Sequence, residues 1–181
     1  MKSIAILFID GFEEIEGITI ADVLRRADFN TLLVGVEKKT VTGSHGITLT
    51  MDKLLKDVSK DDLDAVVLPG GMPGAARLAE NSAVTELLKA VSTQKKKVGA
   101  ICAAPIALHS AGLLNNKKVT CYPSFEPHLV NSICTGESVT IDGHIITGQG
   151  PGAALEFSLS LVEFFGKPEK SRELRKAMLV N

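Results

Sequence analysis

Apolar residues along this chain fall into two patterns, and the patterns alternate. Short uninterrupted runs, rich in branched residues, read as strands covered on both faces. These are "IAILFI" (Ile4–Ile9), "TLLVGVE" (Thr31–Glu37), "DAVVLPGG" (Asp64–Gly71, ending in a Pro-Gly-Gly turn) and "KKVGAI" (Lys96–Ile101). Between them, apolar positions recur at near-helical spacing. Ile15, Ile18, Val23, Leu24 and Ala27 mark a helix after "DGFEE", and "SAVTELLKAVSTQ" marks another, with Ser82 as its N-cap. "TVTGSHGITLT" predicts a hairpin turning at Gly43–Gly46. "KVTCYP" and the pair "SVTIDG"/"HIITG" predict further strands. "GQGPG" is a glycine-rich turn opening a largely buried helix to Phe165, and "PEKSRELRKAML" is a charged last helix.

Strand–helix alternation of this density predicts an α/β layered fold on a mostly parallel sheet. No linker, low-complexity stretch or internal repeat interrupts it, so residues 1–181 are expected to form one domain. Composition narrows the function. Net charge is −1, which removes the electrostatic case for nucleic acid or an anionic membrane surface. With one Tyr and no Trp, there is no stacking platform for single strands either. The first apolar run is too short to span a membrane or act as a signal h-region, and Asp10-Gly11 stops it. Three cysteines (Cys102, Cys121 and Cys134) show no CxxC spacing and leave an odd one over. That usage argues against a disulfide framework and for a reducing, cytoplasmic setting.

The candidate chemistry centres on "VGAICAAPIAL" (Val98–Leu108). Cys102 falls where a predicted strand runs into a helix, at the carboxyl end of a parallel sheet where sites form. A sharp turn that exposes a nucleophile needs small residues two before and two after it, and here those are Ala100 and Ala104. The helix N-terminus is expected to lower the thiol pKa. The same residues also suit a buried cysteine acting as a small hydrophobe. "LPGG" ends a neighbouring strand, so backbone N–H groups of Gly70 and Gly71 are candidates to join Ala103 in holding an oxyanion. In "GFEEIE", Glu13 and Glu14 suit a helix N-terminus electrostatically. Glu16 lies in an apolar patch, where burial would raise its pKa and let it sit protonated beside a thiolate.

"GFEEIE", "VVLPGG", "AICAAP" and "GQGPGAALEF" occur in order over essentially the whole chain. Together they resemble the ThiJ/PfpI superfamily, in the branch of the Parkinson-disease protein and its small bacterial relatives. The resemblance implies a flavodoxin-like three-layer sandwich with a nucleophile elbow at Cys102, usually a homodimer. It makes Cys102 the nucleophile, Glu16 its partner carboxyl, and Gly70, Gly71 and Ala103 the backbone donors. It implies a cofactor-independent glyoxalase or deglycase acting on methylglyoxal, related 2-oxoaldehydes or early glycation adducts. An oxidative-stress sensor or redox-regulated chaperone, working through oxidation of Cys102, is the alternative.

Departures from related patterns matter as well. Ala103 stands where the protease-like branch has His, and none of His109, His128 or His144 has Glu two residues on, so neither a Cys-His protease nor a glutaminase is supported. Tyr122 stands where several relatives carry histidine, and it is expected to line the pocket. His45, in the "TGSHG" turn, is a candidate at the pocket mouth and dimer edge. His109 lies roughly 10 Å up the helix axis from Cys102 and reads as structural. Cys121 and Cys134 read as packing residues, with no metal expected; a Cys121–His128 metal pair is the weaker alternative.

Overall fold

β1 (Ser3–Phe8) sends alternate side chains into two separate cores: Ile4, Ile6 and Phe8 into one, Ala5 and Leu7 into the other. A strand buried on both sides must be apolar throughout, which is why this run shows no polar alternation. β6 (Leu63–Leu68) does the same, with Ala65 and Val67 facing one core and Val66 and Leu68 the other. The computed structural model describes residues 3–180.

The main sheet also contains β2 (Thr31–Gly35), β5 (Lys53–Leu54), β7 (Lys97–Ile101), β10 (Val139–Asp142) and β11 (Ile145–Gly148). Its order is β10-β11-β7-β6-β1-β2-β5, parallel throughout except for β10, which pairs antiparallel with β11. One face is covered by α1 (Glu14–Arg26), α5 (Ala154–Phe164) and α6 (Pro168–Ala177). The other is covered by α3 (Ser82–Thr93) and α4 (Pro105–Ser110), with the short α2 (Gly74–Glu80) beside them. This is the flavodoxin-like α/β/α sandwich. Two glycines set layer spacing. A Cβ on Gly17 would sit 2.6 Å from the Phe8 ring, and one on Gly99 would sit 3.1 Å from Leu161, so both positions admit close helix–sheet approach.

Small ribbons flank the sheet. β3 (Thr40–Thr42) and β4 (Thr48–Thr50) form the anticipated hairpin. β8 (Lys118–Val119) pairs in parallel with β9 (Ile133–Cys134). Several boundaries differ from the sequence reading. Asn81, not Ser82, caps α3: its side chain accepts a hydrogen bond from the Val84 N–H, and Ser82 is the first helical residue. The "KVTCYP" strand is only two residues long. The elements β5, β9 and α2 are too short to leave a periodicity in sequence.

Candidate active site

Cys102 follows β7 directly and adopts φ +64, in the left-handed region that side-chain-bearing residues avoid. Such strain persists only where the surroundings over-determine it, and here both backbone groups of Cys102 are tied down. Its N–H donates to the Gly148 carbonyl at 2.9 Å, and its carbonyl accepts from the Tyr122 N–H at 2.9 Å. Ala100 and Ala104 are fully buried, so the crowding that calls for small residues on either side is real. Pro105 opens α4 at its first position. The anticipated elbow is present, with a nearly closed sulfur: Cys102 is 7% exposed.

Three backbone or side-chain groups surround that sulfur. The N–H groups of Gly71 and Ala103 and the Glu16 carboxyl face it. Glu16 comes from the first turn of α1 and is completely buried. Its Oε2 accepts from the Gly70 N–H at 2.7 Å, while Oε1 is buried without a standard hydrogen-bond partner among the described residues. Gly70 therefore departs from expectation. Its N–H is spent on Glu16, so it positions the carboxyl and is no free oxyanion donor. No side chain fits there either, since a Cβ would lie 2.7 Å from the Cys102 Cβ and 2.8 Å from Glu16 Oε2. Gly71, at φ +90, has the freedom its N–H direction requires.

The thiol and carboxyl share one proton over a wide pH range. Burial pushes Glu16 up to about 7; the Gly70 and Cys102 hydrogen bonds oppose this, and the Glu13 charge adds to it. Burial likewise pushes Cys102 up to about 12, followed by the charge and hydrogen bond of Glu16, against the Gly71 and Ala103 N–H groups. The expected lowering by the helix N-terminus does not dominate, because burial of the sulfur and then the carboxyl beside it outweigh it. Two coupled sites lose their protons as a pair. The first proton leaves at or below about 7 and the second only near 12. Between those limits the pair carries one negative charge. A proton on Glu16 removes the repulsion and turns the carboxyl from acceptor into donor toward the thiolate.

The remaining sequence candidates sit around this pair. Tyr122 is bonded to the elbow only through its backbone; its ring is half-exposed, packs over Gly150, and meets Phe125 edge-on at 6.3 Å. It lines a hollow of about 420 Å³ with Ser138, Gln149, Gly150, Pro151 and Glu156. His45 does not reach the sulfur. Its Nδ1 lies 2.9 Å from Glu14 Oε2, and its N–H donates to Glu14 Oε1 at 2.7 Å. The Glu14 hydrogen bond raises the His45 pKa first, and the charges of Glu13 and Glu14 raise it further.

Sequence reasoning missed the work Glu14 does. Its carboxylate, buried against the β3–β4 turn, accepts from the Ile47 N–H as well. Burial raises its pKa, but these hydrogen bonds outweigh burial and hold it low. Glu13, Glu14 and His45 form the group with metal-ligand spacing among the described residues, and the Glu14 oxygens are already occupied by the turn. Gly148 was missed as well. Only the register of β11 against β7, Gly148 beside Ile101, shows that it holds the elbow.

The model of the DJ-1/PfpI family matches residues 2–164. Protein dj-1beta of Drosophila melanogaster is 39% identical over 99% of this chain and 97% of its own length. Its crystal structure superposes with a TM-score of 0.95, covering 99% of this chain and 98% of that one. A Caenorhabditis elegans protein named glutathione-independent glyoxalase DJR-1.2 is 36% identical, covering 92% of this chain and 89% of its own. A deglycase of Pyrococcus abyssi is 32% identical, covering 82% and 90%.

Proposed function

The chain belongs to the DJ-1/PfpI family, and on that premise we propose that it is a cysteine-dependent glyoxalase or deglycase-type enzyme. It acts, without a cofactor, on methylglyoxal and related 2-oxoaldehydes or on early glycation adducts. Relatives named as a glyoxalase and a deglycase support the activity class. The observation that carries the reading is the buried Cys102–Glu16 pair on a strained elbow with Gly71 and Ala103 N–H groups at the sulfur.

In this mechanism Glu16 takes the thiol proton as the sulfur adds to the aldehyde carbon of methylglyoxal. The C–S bond forms, the carbonyl π pair moves to oxygen, and Glu16 returns the proton to that oxygen, giving a hemithioacetal. The Gly71 and Ala103 N–H groups hold the oxyanion before it is protonated. Glu16 then removes the C1 proton and delivers it to the C2 oxygen, giving an enediol, and protonation at C2 with loss of the C1 hydroxyl proton leaves a thioester. C1 is thereby oxidised and C2 reduced within one molecule. Water cleaves the thioester to lactate and regenerates the thiol. The Glu16 Oε1 atom, which lacks a standard partner, is available for these transfers.

Lactate production from methylglyoxal, with glutathione absent, tests the reading. Wild type is expected to form lactate and Cys102→Ala to form none; an unimpaired variant would overturn it. The same unpartnered carboxyl oxygen favours a second reading, oxidation sensing, in which Glu16 donates to an oxygen of oxidised Cys102. Ile15 and Ile18 of α1 and Ile47 of the β3–β4 turn are exposed, which supports assembly as a homodimer through that face. No helix of the described residues is long and apolar enough to cross a membrane. Three free thiols fit the proposed cytoplasmic setting.

A further inference from the structure

Two thiols outside the Cys102 site lie together. Cys134 is the last residue of β9 and pairs with Val119 at the end of β8. Cys121 follows Val119 by two residues, so an extended chain places both sulfurs on one face of the ribbon. The two thiols are close enough to perturb each other, and Glu126 is the charged group that faces both. Cys121 is buried and Cys134 exposed, so the pair has one anchored member and one open to solvent. The ribbon is held independently of the sulfurs: Thr135 N–H donates to the Val119 carbonyl at 2.8 Å, and the Thr135 and Thr140 hydroxyls meet at 2.6 Å.

We infer that Cys121 and Cys134 form a binding site for a soft monovalent metal ion of the copper(I) class, separate from the Cys102 site. Two thiolates with no imidazole between them select a soft ion, and two ligands are too few for a structural zinc, which takes four. Diagonal placement also favours a bridging ion over a disulfide. An ideal parallel ladder sets such Cα atoms roughly 8 Å apart, beyond the ~7 Å that a disulfide spans without backbone movement. On binding, two S–metal bonds form and the two S–H protons leave to solvent, with no change of oxidation state. Glu126 lends negative charge beside the cation. The sequence alternative of Cys121 with His128 is replaced by this pair, because the ribbon register sets Cys134 beside the Cys121 strand and Cys134 is the thiol that perturbs it.

The test is anaerobic titration of the full chain with copper(I) in competition with a coloured copper(I) chelator. Wild type and Cys102→Ala are both expected to withdraw copper(I) from the chelator at this site. Cys121→Ser and Cys134→Ser should each weaken uptake at least about 100-fold, since each removes half the ligand set. Cys134 is exposed, so its variant keeps the fold even if the buried Cys121→Ser does not, and far-ultraviolet circular dichroism checks both. X-ray absorption of the loaded protein should show sulfur-only ligation. Uptake unchanged in folded Cys134→Ser, or abolished in Cys102→Ala, would overturn the assignment.

Discussion

Replacing Glu16 with Gln should make the protein more stable at neutral and mildly alkaline pH while it loses turnover. Glu16 is completely buried, and its pKa rises from an ordinary 4.5 to about 7 in the folded chain. A carboxyl whose folded pKa exceeds its unfolded value contributes stability that is fully present below the unfolded value. That contribution is lost as pH rises through the folded one. The shift from 4.5 to about 7 corresponds to at most about 3.5 kcal/mol at about 1.4 kcal/mol per pKa unit. It is an upper bound, because any share of the pair's charge carried by sulfur lowers the first step. Gln is nearly isosteric, still accepts from the Gly70 N–H, and stays neutral. Acids outside the Cys102–Glu16 pair titrate equally in both proteins and cancel in the difference. Denaturant unfolding of both proteins at several pH values from 4 to 8 reads the effect directly. The stability difference, variant minus wild type, should grow by up to about 3.5 kcal/mol across that span. A pH-independent difference would refute the claim that Glu16 is driven toward its neutral form by burial.

Three further outcomes follow from the same geometry. The kcat/KM profile for methylglyoxal should rise through about 7 as the pair takes up its single charge. It should decline only as pH approaches 12, where the shared proton is lost; a profile governed by an ordinary thiol would contradict this. Gly70→Ala should destabilise the fold by about 1–3 kcal/mol through overpacking, with lower turnover, because its Cβ meets both Cys102 and Glu16. A neutral result in thermal unfolding would show that the two elements yield. After mild peroxide, peptide mass mapping should find two added oxygens on Cys102 ahead of the exposed Cys134, which lacks the flanking donors. Preferential oxidation of Cys134 would count against the sensing reading.

The layered fold was legible because strands covered on both faces must be apolar throughout, as β1 and β6 show. Cys102 was legible for a related reason: a left-handed turn between strand and helix leaves room only for Ala100 and Ala104. Glu16 stood out as a carboxyl inside an apolar patch. The partners of these residues were not readable. Gly70 is 54 positions from Glu16 in sequence, and nothing in "LPGG" says which of two successive N–H groups faces the carboxyl and which the sulfur. The direction of the thiol shift was misjudged because it depends on burial and on a carboxyl brought from another strand–helix turn. Glu14 looked like a helix-dipole residue until the β3–β4 turn closed over it. The Cys121–Cys134 contact depends on a parallel ribbon whose strands are two residues long, too short to predict.

Cys102 and Glu16 titrate as one unit in this reading of the site. Alkylation of Cys102 by iodoacetamide, followed by peptide mass mapping against pH, reads that coupling. In wild type the rate should rise in a step at or below about 7, hold a plateau through the ordinary thiol range, and climb again only toward 12. Glu16→Gln should collapse this to a single step without the plateau. A wild-type rate rising once through the ordinary thiol pKa, superimposable on that of Glu16→Gln, would contradict the account.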